Sequence, residues 1–100
     1  MEHELEQLLT LTETLHARAE AGDWEAVEQN GTRQRRRLEG WFAAHAATGL
    51  TQPQRQLLEQ ILDLNRRVGE LAQRNRDRLG ADLHDLRRGR SGAAAYAANS

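Results

Sequence analysis

Residues 51–89 read TQPQRQLLEQILDLNRRVGELAQRNRDRLGADLHDLRRG, and this stretch decides the fold. Apolar side chains recur at helical spacing through Leu57, Leu58, Ile61, Leu64, Val68, Leu71, Ala72, Leu79, Leu83 and Leu86, which predicts one long helix. Thr51 followed three residues later by Gln54 is a capping-box pattern, and Pro53 suits a first turn, where a missing N–H leaves no unpaired donor. Arg87 and Arg88 suit the negative end of the helix dipole and Gly89 suits a C-terminal cap, so the helix is expected over about 52–88. Acid-before-base pairs on the outer face, Asp63 with Arg67, Glu70 with Arg74 and Asp85 with Arg88, support it by a few tenths of a kcal/mol each.

Working back toward the N-terminus, residues 3–21 predict a first helix with Leu5, Leu8, Leu9, Leu15 and Ala19 on one face. Gly22 and Asp23 then supply a left-handed cap and the N-cap of the next helix, so the first two helices form an antiparallel hairpin. The second helix is expected over about 24–46, with Trp24, Val27, Gly31, Leu38, Trp41, Phe42 and His45 on or beside one stripe. Trp41 and Phe42 are adjacent and point about 100° apart, so one belongs to the core and the other to its rim.

The predicted architecture is all-α: an antiparallel three-helix hairpin or bundle with one long C-terminal helix. At 1.5 Å per residue the second helix spans about 34 Å and the third about 56 Å, so roughly 20 Å of the third projects beyond the hairpin. That projection carries Leu79, Leu83 and Leu86 as an apolar ridge, which a second subunit, a client helix or the chain's own tail could cover. The domain is read as residues 1–88. Residues 89–100 form a detachable tail in which Ser91 starts a short, labile fourth helix bearing Tyr96.

Composition narrows the function. The chain of 100 residues carries a formal charge of −1, with 14 basic side chains that are all arginine and no cysteine. Lysine-dependent chemistry, disulfides and thiolate metal sites are therefore excluded. No apolar run reaches the length of a membrane span, and a soluble, cytoplasmic protein is expected. His16 with Glu13 and Glu20 has the spacing of a helical metal site, yet such triplets are ordinary on polar surfaces, and no metal or other cofactor is expected. Arg33, Arg35, Arg36 and Arg37 form a basic cluster, but a slightly acidic chain lacks the net charge expected of a nucleic-acid binder. Acids alternating with arginines read as a solvated ladder rather than paired catalytic carboxylates, so no enzyme activity is expected. The enzyme alternative is a small helical dimer of the chorismate mutase type, and the binding alternative is another helical adaptor or regulator.

The run Gly22-Asp23-Trp24-Glu25-Ala26-Val27 after a leucine-rich first helix resembles flagellar chaperones of the FliT type. So do the Leu50-Thr51 start, Ile61-Leu62-Asp63-Leu64-Asn65, and the closing Leu86-Arg87-Arg88-Gly89-Arg90 with Tyr96. The resemblance implies a cytoplasmic chaperone that binds the C-terminal helical region of the flagellar cap protein, prevents its premature assembly and delivers it to the type III export gate. It also implies contact with the export apparatus, in some members with a flagellar transcriptional regulator, and a C-terminal helix able to cover the binding surface. A homodimer is expected as well. Candidate client-binding residues are Leu38, Trp41, Phe42, Leu58 and Leu62, with Leu79, Leu83 and Leu86 as the ridge for dimer, client or tail and Tyr96 as the tail switch.

Overall fold

The computed structural model describes the backbone of residues 3–45 and 47–99, and the side chains of residues 3–45 and 47–87. Three helices, α1 (His3–Glu20), α2 (Trp24–His45) and α3 (Gln52–Asn99), are joined by short turns, and none of the described residues forms a strand. Each helix begins or ends where local chemistry dictates. At the end of α1 the Asp23 N–H donates to Arg18 C=O at 2.9 Å and the Gly22 N–H to Ala19 C=O at 3.1 Å, a double closure that requires the left-handed φ of +77° at Gly22. Asp23 then turns to the following helix, its Oδ1 accepting from the Ala26 N–H at 3.3 Å. At the start of α3 the predicted capping box is reciprocal. The Thr51 N–H donates to Gln54 Oε1 at 2.9 Å, and the Gln54 N–H to Thr51 Oγ1 at 3.2 Å.

The long helix departs from its predicted end. Helical backbone continues through Gly89 to Asn99, and no separate fourth helix stands among the described residues. The alanines at 93–95, 97 and 98 have the highest helix propensity of any residue. No proline intervenes, and two glycines cost only about 1 kcal/mol each, too little to enforce a stop. The tail-switch residue Tyr96 has a side chain that lies outside the described residues.

Packing follows a repeat of alternating three- and four-residue steps. In α1 the buried positions are Leu5, Leu8, Thr12, Leu15 and Ala19. α1 is the middle helix: it packs on both α2 and α3, whereas no described Cα of α2 comes within 8 Å of one in α3. The other two helices therefore meet only through side chains. At one end they do so fully, where Leu38 and Trp41 of α2 and Leu58 and Ile61 of α3 close over Leu5 and Leu8. Each of these large side chains contributes roughly 1.5–3 kcal/mol on burial. The hairpin finishes alongside Leu71 to Arg78, where Ala19, Gly22 and Trp24 border a shallow depression with Leu71, Asn75 and Arg78. α3 runs on past this point, and the molecule is 73 Å long but only 22 by 19 Å across.

Candidate helix-binding groove

The five candidates on α2 and α3 separate into two groups. Leu38, Trp41 and Leu58 are buried in the closed core, whereas Phe42 and Leu62 remain 41% and 53% exposed. Trp41 and Phe42 divide core from rim as their 100° offset requires, with ring centroids 5.6 Å apart and planes at 82°. Trp41 also stacks on His45 at 4.2 Å, and the His45 Nδ1–H donates to the Trp41 carbonyl at 2.8 Å. The stack blocks one face of the indole, whose buried Nε1–H has no partner among the described residues. Three of the five thus hold the closed end together rather than lining an open surface.

The ridge stands in solvent, with Leu79, Leu83 and Leu86 exposed by 50%, 58% and 64%. At 100° per residue these three leucines fall within about 40° of Ile61, so they extend the same stripe that faces α1 further back. Every described side chain from Arg76 to Arg87 is exposed.

A different concavity lies between α2 and α3, beyond the closed end. A groove of about 500 Å³ has Leu15 of α1 as its floor. Val27, Gly31 and Gln34 of α2 form one wall, and Asn65, Val68, Gly69 and Ala72 of α3 the other, with Glu28, Arg35 and Arg76 at the rim. The cause is side-chain size: valine, glycine and alanine stand at positions where leucine, isoleucine and tryptophan stand at the closed end. A Cβ added at Gly31 meets only Leu15 Cδ2, at 3.9 Å. The groove floor is therefore reached past backbone, and a helix can lie close against it.

A polar layer separates the closed end from the groove. Gln34, 1% exposed, donates from Nε2 to Thr12 Oγ1 at 3.0 Å and to Asn65 Oδ1 at 3.2 Å. The Thr12 hydroxyl in turn donates to Leu8 C=O at 2.7 Å. Periodicity among apolar residues alone misses this layer. Its signal is phase: Thr12 lies four residues after Leu8, Gln34 four before Leu38, and Asn65 four after Ile61.

Charged groups are distributed unevenly. On α3, Arg66 Nη2 lies 2.8 Å from Asp63 Oδ1 and its Nη1 2.7 Å from Glu70 Oε1, while Arg67 Nε lies 3.1 Å from Asp63 Oδ2. Glu70 thus pairs backward with Arg66 instead of forward with Arg74. The hydrogen bond from Arg66 holds the Asp63 carboxyl below its ordinary range. The arginines at 33, 35 and 36 of α2 are exposed, and among the described residues none has a carboxylate within 4 Å. His16 Nδ1 lies 2.8 Å from Glu20 Oε1, but no three His, Asp or Glu side chains gather as a metal site among the described residues. No described helix is long and apolar enough to cross a membrane.

The model of the family described as flagellar protein FliT matches residues 2–98. No curated protein and no solved structure matches the chain.

Proposed function

The chain belongs to the FliT family of flagellar proteins, and from that premise we propose that it is a cytoplasmic type III export chaperone for the flagellar filament-cap protein. Membership implies a flagellar export-chaperone role in general terms. The finer reading is that the protein holds the C-terminal helical region of the cap protein, keeps it from assembling early and passes it to the export gate.

One observation carries this reading: no described Cα of α2 comes within 8 Å of one in α3, and between them lies a groove floored by Leu15, with largely apolar walls interrupted by Gln34 and Asn65 and with charges at its rim. That is the geometry in which an amphipathic helix lays its apolar face into a groove. A client helix there takes the place of a fourth bundle helix, burying its own aggregation-prone stripe and the half-covered Val27, Val68 and Ala72 together. Nothing in such an arrangement calls for catalysis or a cofactor.

The test is binding of the isolated cap-protein C-terminal segment by isothermal calorimetry, with Val68→Arg as the groove variant. The proposal expects binding by the native chain and at least a tenfold loss for the variant, whose helicity by circular dichroism stays intact. Equal affinity for both proteins removes the groove from the account.

The exposed Leu79, Leu83 and Leu86 ridge is assigned to homodimerisation, because it continues the packed stripe of α3 where no other described helix lies beside it. Sedimentation equilibrium of Leu83→Glu is expected to give monomers where the native chain gives dimers. An unchanged mass for the variant removes this assignment.

A further inference from the structure

We propose that the groove selects for a client helix with a carboxamide or hydroxyl side chain within its otherwise apolar face, read by Gln34 and Asn65. The inference rests on the groove being the client site and says what that site recognises.

The argument is one of unfilled hydrogen-bonding capacity. A carboxamide has two N–H donors and an acceptor oxygen. Gln34 uses its Nε2 for Thr12 Oγ1 and Asn65 Oδ1, and among the described residues neither its Oε1 nor Asn65 Nδ2 has a protein partner. Both residues line the groove, Gln34 with only 1% of its surface exposed, and a docked helix completes the burial of both groups. An entirely apolar face would leave an acceptor and a donor buried without partners, and each such group costs more than a good hydrogen bond contributes. A client Asn or Gln can donate to Gln34 Oε1 and accept from Asn65 Nδ2, and Ser or Thr can do both through one hydroxyl.

The position of the pair makes the contact a register mark. Gln34 and Asn65 stand where the groove meets the closed core, so a client polar group that finds them fixes how far along the groove the helix lies. A single buried polar position sets register in helical assemblies in the same way, by making every slipped alignment strand the polar group. Leucine at both sites removes the requirement without leaving a lone buried partner, because Thr12 keeps its bond to Leu8 C=O.

The experiment uses the full chain and the cap-protein C-terminal segment. Each polar residue on the apolar face of that segment is replaced in turn by leucine, and affinities are measured for the native chaperone and for the Gln34→Leu/Asn65→Leu double variant. We expect one replacement to weaken binding to the native chain about tenfold or more and to leave binding to the double variant unchanged or tighter. Circular dichroism checks that the double variant remains helical, and Asn65→Leu alone, which leaves the bond from Gln34 Nε2 to Thr12 Oγ1 in place, supplies a second readout if it does not. Asn65→Leu is then expected to shrink the effect of that one client replacement. Binding to the native chain with no replacement coupled to Gln34 or Asn65 overturns this inference and leaves the functional reading standing. Failure of the segment to bind at all overturns both.

Discussion

The two ends of the three-helix region use the same spacing of inward positions and differ in what occupies them. At the closed end α2 and α3 contribute Leu38, Trp41, Leu58 and Ile61, which fill the space over Leu5 and Leu8. At the open end the corresponding helices contribute Val27, Gly31, Val68, Gly69 and Ala72, and the same inter-helix space becomes a groove. Helix position is thus set at one end by packed bulk, and open space is left at the other by withholding it. The polar layer of Thr12, Gln34 and Asn65 lies at the boundary between the two.

This contrast can be broken most forcefully at the closed end. Trp41→Ala removes the largest buried side chain and is expected to cost about 3–5 kcal/mol. That is enough to unfold a small three-helix domain, as read by loss of the far-ultraviolet helical signal at ambient temperature. A loss below about 1 kcal/mol would mean that Trp41 does not hold this end. The capping box at the α3 start is the next lever. Thr51→Ala removes the Oγ1 acceptor of the Gln54 N–H and is expected to lower stability by about 1 kcal/mol in urea unfolding.

Changes at the open end should run the other way. Gly31→Ala places a methyl at ordinary contact distance from Leu15 and improves helix propensity, so unfolding should be harder by about 0.5–1 kcal/mol. Destabilisation there would show that the groove wall is already packed to its limit.

The smallest effect is electrostatic. Asp63 has its carboxyl pKa lowered by the Arg66 hydrogen bond, so the folded state binds that proton less readily than the unfolded one. Its contribution is present above the unfolded carboxylate pKa of about 3.9 and is lost as pH falls through the lower folded value. An Asp63→Asn variant should therefore show a slightly flatter decline in stability across that acidic window than the native chain, in urea midpoints compared at stepped pH. Because the side chain is 41% exposed, salt should reduce the difference.

Much of this was legible in the sequence, and what was not has a physical cause. The Gly22–Asp23 turn and the Thr51–Gln54 box were readable because capping depends on two or three neighbouring residues. The core-and-rim split of Trp41 and Phe42 followed from helix geometry alone. The end of α3 was misread because Gly89 is a cap only where something else makes the chain turn, and an alanine-rich continuation supplies no such reason. The groove was hidden for a deeper reason: Val27, Val68 and Ala72 have the periodicity of core residues, and periodicity does not report whether facing side chains are long enough to meet. Leu38, Trp41 and Leu58 were drawn into the candidate surface by the same limitation, since a large apolar residue on a stripe serves equally well as core or groove.

Hydrogen–deuterium exchange of the chaperone with and without the cap-protein C-terminal segment tests the central claim most directly. Docking in the groove predicts new backbone protection at residues 27–34 and 65–72, flanking the polar layer on its open side, with the closed end unchanged. Protection confined to residues 79–87, or to the surroundings of Phe42 and Leu62, would place the client elsewhere and contradict the account.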